Sequence, residues 1–246
     1  MKKILKYGVI AAACYLLAAP ASAALVSIQE VDVGNGMSSG GLVLPVDTRT
    51  INYWAGLQKL VINGSASVLA FCVDPWEWTS PNTVNYSTNN LGSIFGAAKA
   101  NMIGELYSEA YSSTLLPGNL GGNLNAAAFQ LALWEIIADD NPAIAGLQAN
   151  LNNGLVHVVQ GTNASLIAAT NVLLSHIDGV YGNENYTFSF YTNGRSAGQA
   201  GPAGYQDFLV ANRVPEPGTI SLIVSALSAL SGLSVLGLRR RQSSRP

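Results

Sequence analysis

Asn125-Ala126-Ala127-Ala128-Phe129-Gln130-Leu131-Ala132-Leu133-Trp134-Glu135-Ile136-Ile137-Ala138 is a run of good helix formers, apolar almost all the way round. A helix of that kind has no face to offer water, so it belongs inside a folded unit, covered on most sides. Asp139-Asp140-Asn141-Pro142 stops it, and Asn141 with Pro142 suits the start of another helix. Gln130 does not fit the apolar run. Its amide carries two donors and an acceptor, and each needs a partner once buried.

Outward from this helix, the chain alternates between two periodicities. Helical runs are expected at Ser93–Tyr111, Asn125–Ala138, Pro142–Leu151 and Asn163–Ile177. Strand-like runs cover Leu25–Val33, Leu57–Ile62, Ser67–Val73, Tyr186–Tyr191 and Tyr205–Val210. Strands flanking a helical middle predict an α+β fold, an antiparallel sheet or partial barrel packed against a helical lobe.

Both ends of the chain carry sorting features. Lys2, Lys3 and Lys6 precede an apolar run from Tyr7 to Ala19, and Ala21-Ser22-Ala23 closes it with a small-x-small pattern. These three parts make residues 1–23 a cleavable signal peptide. At the other end, Thr219–Leu238 is 20 residues without a charge, long enough for one helical crossing of a bilayer. Arg239, Arg240 and Arg241 follow it, and clustered arginine stays on the cytoplasmic side. Ser221, Ser225, Ser228, Ser231 and Ser234 line one face of that helix, a surface suited to packing in the membrane. Pro215-Glu216-Pro217 stands just before the span, where two prolines prevent helix from continuing.

The order Pro-Glu-Pro, apolar span, arginine cluster resembles the PEP-CTERM sorting signal of Gram-negative bacteria, over residues 214–246. The resemblance implies recognition by an exosortase, passage through the inner membrane as a precursor, and a final place at the cell surface or in the extracellular matrix. A plain tail anchor behind a Pro-rich stalk is the other reading of the same residues. Residues 24–213 remain as one extracytoplasmic domain, a comfortable size for a single core.

Trimming sharpens the charge. Arg49, Lys59, Lys99, Arg195 and Arg213 are the basic residues of 24–213, against thirteen of the 14 acidic ones. Such a surface repels phosphate backbones and speaks against nucleic acid as a partner. Cys14 leaves with the signal, so Cys72 is the single thiol of the mature chain. An exported chain with one cysteine has no internal disulfide, and an exposed thiol outside the cytoplasm is an oxidation liability. One resolution is burial, since free cysteine behaves as a small hydrophobe. The other is chemical: Cys72 attacks the Gln130 side-chain carbonyl, expels ammonia and leaves an internal thioester. A hydrogen-bond network around Gln130 remains the plainer alternative.

Two short segments carry a second resemblance. Phe71-Cys72-Val73-Asp74 and Phe129-Gln130-Leu131-Ala132-Leu133-Trp134 resemble the paired signatures of bacterial thioester domains, known from surface adhesins of Gram-positive bacteria. The resemblance implies Cys72 and Gln130 as the bonded pair, Trp134 covering the bond one helical turn on, and Phe71 and Phe129 excluding water. It implies an amine-bearing surface or matrix ligand, captured once per molecule, and therefore a reactive binding module rather than an enzyme. The cell-wall anchoring of those adhesins has no counterpart here. The alternative function is a passive structural component of an extracellular polymer layer.

Other chemistries have weaker support. His157 and His176 are the only histidines and neither stands in a recognisable hydrolase context. No metal-ligand spacing or cofactor fingerprint is visible, so neither a metal nor a cofactor is expected. Asp32, Asn35, Asp139 and Asp140 read as turn and cap residues.

Overall fold

The computed structural model describes residues 25–44, 47–75, 77–118, 121–138, 151, 157–158, 163–179, 185–194 and 204–214. The signal peptide expected at residues 1–23, the motif and span expected in the tail, and nearly all of the helix expected at Pro142–Leu151 lie outside these residues. The described elements are β1 (Leu25–Leu44), β2 (Asp47–Ile62), β3 (Ser67–Cys72), β4 (Val84–Asn89), α1 (Leu91–Thr114), α2 (Gly121–Ala138), β5 (His157–Val158), α3 (Ala164–Ser175), β6 (Tyr186–Thr192) and β7 (Phe208–Arg213). The fold is α+β, as the alternation of periodicities predicts.

The strands form one sheet in the order β2-β3-β7-β6-β4-β1-β5, antiparallel throughout, and β1 also pairs with β2. That extra pairing closes a ring of six strands. It is possible because β1 is long: Leu25–Ile28 pair with β4, while Ile28 to Leu44 run along β2. Closing the ring removes the free edges that an open sheet would present.

The sequence reading ended β1 at Val33 and began β2 at Leu57. Glycines at 34, 36, 40 and 41 interrupt the strand pattern there. The ladder continues past them by shifting register between Val33 and Gly36 and again between Gly40 and Leu42, so bulges absorb residues that propensity counts against a strand. β4 was missed because Val84–Asn89 is polar at four of six positions.

Gly56 is the position where a glycine is required. Its φ is +150°, and a Cβ there would lie 2.4 Å from the Asn35 carbonyl oxygen. The irregularity changes the parity of β2. Tyr53 and Ala55 before it, and Leu60 after it, all reach the same apolar cluster, which simple alternation would forbid.

α2 explains its own composition. Phe129, Ala132, Leu133, Ile136 and Ile137 enter one cluster with Phe71, Val73, Leu209, Phe190 and the buried face of α1. Ala127, Ala128, Leu131, Trp134 and Ala138 enter a second with Ala70, Cys72, Phe208, Tyr86 and Leu60. At 100° per residue these sets occupy opposite sides of the helix, and Gln130 falls on the seam between them. β3 divides likewise, with Phe71 and Val73 on one side and Ala70 and Cys72 on the other. Both ends of α2 are tied down. Asn35 Nδ2 donates to the carbonyls of Thr114 and Leu116 just before the helix, and Gly36 N donates to Asn123 Oδ1. Lys99 Nζ donates to the Ile137 carbonyl at 2.8 Å, a cation at a helix C-terminus.

Candidate functional site

β3 and α2 bring together two residues 58 positions apart. Cys72 N donates to Gln130 Oε1 at 3.1 Å, and Gln130 Nε2 donates to the Cys72 carbonyl at 2.7 Å. The side-chain amide thus makes the pair of bonds that a neighbouring strand would make. The reason lies in the ladder, because the last β2–β3 partners are Leu57 and Phe71. One step further β2 reaches Gly56, where the β2–β3 ladder has ended although β2 still pairs with Gly36 of β1 on its other edge. Gln130 takes the place of the missing strand.

The thioester reading of the sequence needs Cys72 at the edge of the sheet, facing the helix that carries Gln130. The structure corrects this: β3 has β2 on one side and β7 on the other, and Cys72 is its last residue, opposite Phe208.

Cys72 is buried and Gln130 fully so. Burial pushes the Cys72 thiol well above its usual range, the Glu30 carboxylate pushes it further, and a hydrogen bond with the Gln58 side chain opposes both. A thiolate at this site is therefore scarce at neutral pH. The Cys72 N–H aimed at Oε1 has the opposite effect on the partner: it polarises the Gln130 carbonyl and stabilises negative charge developing on that oxygen.

Phe71 and Phe129, expected to exclude water, stack with centroids 4.4 Å apart and planes at 21°. They lie on the α1 side of β3 and α2, so they fasten strand to helix directly beside the pair. Trp134, on the other side with Cys72, is 3 % exposed and meets Tyr53 edge-on at 5.6 Å. Its Nε1 has no hydrogen-bond partner.

The sequence reading missed Gln58 and Glu30. Gln58 is 4 % exposed, and its Oε1 has no hydrogen-bond partner. The signal was present, since Gln58 alternates with Leu60 and Ile62 and so shares their face. Glu30 follows buried Ile28 by two residues, accepts a hydrogen bond from the Thr79 side chain, and is held above the usual carboxylate range by burial.

Past Cys72 the chain enters an acidic turn. Asp74, Glu77 and Asp207 are buried, and burial together with the other two carboxylates pushes Asp207 up to about 8. Asn193 N donates to Asp207 Oδ1 at 2.8 Å, which lowers it only in part. Val73 N donates to the Asp207 carbonyl, and Gln206 Nε2 donates to the carbonyl of Asp74, so β3 is locked to the start of β7.

The remaining candidates sit elsewhere. His176 ends α3 and meets Glu109 at 3.3 Å, both exposed. His157 is in β5, paired with Val43. Asp32 pairs with Lys59 at 2.9 Å, and Asn35 holds the chain before α2. Among the described residues no group of three His, Cys, Asp or Glu side chains forms a metal site, and no helix is long and apolar enough to cross a membrane. Pro215, Glu216, Pro217, Arg239, Arg240 and Arg241, like Asp139 and Asp140, lie outside the described residues.

No protein-family model matches the sequence, and no curated protein matches it. Among solved structures, the chain is similar to the N-terminal thioester domain of fibronectin-binding protein SfbI from Streptococcus pyogenes, at 15 % identity and a TM-score of 0.42, over 80 % of this chain and 97 % of that one. It is also similar to the N-terminal domain of the Streptococcus pyogenes pilus tip adhesin Cpa, at 14 % identity and a TM-score of 0.36, over 76 % of this chain and 98 % of that one.

Proposed function

We propose that this chain is an exported surface or matrix protein that attaches covalently to amine-bearing partners through an internal thioester between Cys72 and Gln130. The observation that supports it most is the docking of the Gln130 amide onto the backbone of Cys72, through one N–H and one carbonyl. That contact holds the carboxamide carbon at the residue whose sulfur attacks it, with a donor already on its oxygen.

Formation is balanced as follows. The Cys72 sulfur bonds to the Gln130 side-chain carbon, the C–N bond breaks, and the thiol proton leaves with the amide nitrogen as ammonia. Capture reverses the polarity of the exchange. An amine nitrogen bonds to the same carbon, the C–S bond breaks, and sulfur regains a proton as Cys72 thiol. The product is an amide crosslink to the partner. One molecule reacts once, so the chain is a reactive binding module rather than an enzyme.

Residues 1–23 direct export, and residues 214–246 present the precursor at the inner membrane to an exosortase-type enzyme. The mature domain is then delivered to the cell surface or matrix. The signals are read from sequence alone, and the thioester chemistry is independent of them.

A passive structural role is the second reading, and one observation favours it. Both ends of the Gln130 amide already have backbone partners, so a buried glutamine is satisfied here without chemistry. Methylamine separates the two. The mature protein is expected to take up one labelled methylamine per chain, at Gln130, and to expose one alkylatable thiol as it does so. Cys72→Ala is expected to take up none. Equal labelling of the two proteins would contradict the covalent reading.

A further inference from the structure

Gln58 is a buried amide with one end engaged and the other vacant. Its side chain hydrogen-bonds the Cys72 thiol, while Oε1 has no partner. Burying an acceptor without a donor is costly, and native proteins keep few such groups without a use. The ladder places it: Gln58 lies opposite Ala70, two residues before Cys72 on the same face of β3. Glu30 lies opposite Leu60, two residues beyond Gln58 on β2. Glu30, Gln58 and Cys72 therefore run diagonally across three neighbouring strands on one face, all turned toward the cluster that holds Trp134.

An acceptor without a donor next to the Cys72 thiol, and a carboxylate further along the same face whose charge reaches that thiol, call for a ligand that brings N–H donors and positive charge. A primary ammonium does both. Rested on the thioester reading, the geometry points to an ammonium subsite, formed by Gln58 Oε1 and the Glu30 carboxylate, that receives the amine captured by the Cys72–Gln130 bond. The same subsite receives the ammonia expelled when the bond forms, since the two nitrogens occupy equivalent places in the forward and reverse exchange. It selects amines that arrive protonated over neutral nucleophiles.

Glu30 also handles the proton. An incoming R–NH3+ gives one proton to the Glu30 carboxylate and attacks as R–NH2. Its nitrogen gives a second proton to the departing Cys72 sulfur, and one hydrogen stays on the new amide. Glu30 then releases its proton to water. Burial holds the Glu30 carboxyl above the usual range, which makes it a better acceptor than a solvated carboxylate. Among the described residues, the titratable groups in this cluster include Tyr53 on β2, Cys72 on β3, Tyr86 on β4 and Tyr191 on β6, and α2 adds the buried Glu135 on the same side; Cys72 and Tyr86 are both shifted upward and neutral at pH 7. Thr79 supplies the hydrogen bond that keeps part of the Glu30 charge in place.

The test uses the full mature chain with Glu30→Gln and Gln58→Leu variants, and two nucleophiles at neutral pH: methylamine, which is mostly cationic, and hydroxylamine, which is mostly neutral. Intact mass is taken first on each protein. Chains lighter by one ammonia contain the thioester, and capture rates are compared on those chains alone. The ratio of methylamine to hydroxylamine capture is expected to fall on the order of 10²-fold in Glu30→Gln, the low end for a proton-transfer group. In Gln58→Leu the methylamine concentration for half-maximal rate is expected to rise. A wild-type chain that has lost no ammonia overturns the thioester reading itself. A wild-type chain that has lost ammonia, with the same ratio as Glu30→Gln, overturns the subsite and leaves the thioester standing.

Discussion

Gln130 does structural work before it reacts. Its amide satisfies the N–H and the carbonyl of Cys72 where β2 turns away. Gln130→Ala leaves both groups buried without partners, at about 1–3 kcal/mol each. Denaturant unfolding of the unreacted chain should show that loss. Asp207 gives a second prediction at this scale. Its carboxyl is pushed up to about 8 from 3.8, so the folded chain holds a proton that the unfolded chain releases. That stabilisation is complete below about pH 4 and is lost as pH rises toward about 8, at roughly 1.4 kcal/mol per pH unit. Asp207→Asn keeps the acceptor for Asn193 N and removes the titration, so its stability should be flatter over that interval. Cys72 and Gln130 stood out in the sequence because each is an anomaly in its own context, the one thiol of residues 24–213 and an amide in an apolar helix. Gln58 and Glu30 did not, because each looks ordinary in its strand until the register puts Gln58 next to the sulfur and Glu30 on the same face.

At the scale of elements, α2 and β3 were legible because their apolar runs need no partner to be recognised. The two-sided burial of α2 follows from residues spaced three and four apart on both faces, with Gln130 on the seam. The continuation of β1 and β2 through their glycines was not legible, since bulges reverse the rule that glycine weakens a strand. Gly56 carries the consequence. It has φ +150°, and a Cβ would meet the Asn35 oxygen at 2.4 Å. Gly56→Ala should therefore cost roughly 2–5 kcal/mol in thermal or chemical unfolding. If it folds, the strain at Gly56 should disturb the strand end beside Cys72 and reduce methylamine uptake. Unchanged stability and uptake would contradict the parity switch assigned to this residue.

For the whole molecule, the closed ring was only half visible. Strand content predicted a sheet or partial barrel, but closure depends on β1 pairing with β4 at one end and β2 along the rest, a long-range fact that local pattern does not encode. The sorting account makes its own prediction. Replacing Pro215, Glu216 and Pro217 with Ala should leave the chain in the membrane fraction with its tail attached, while the unaltered protein is released or surface-displayed; equal release of both would contradict exosortase processing. The central claim, however, is the bond, and it is read by weighing the molecule. Intact mass of the mature protein, purified without reductant, should fall below the sequence mass by one ammonia, and Cys72→Ala should show its full sequence mass. A wild-type chain at full mass, carrying a Cys72 thiol that alkylates once unfolded, would contradict the thioester and leave a passive surface component in its place.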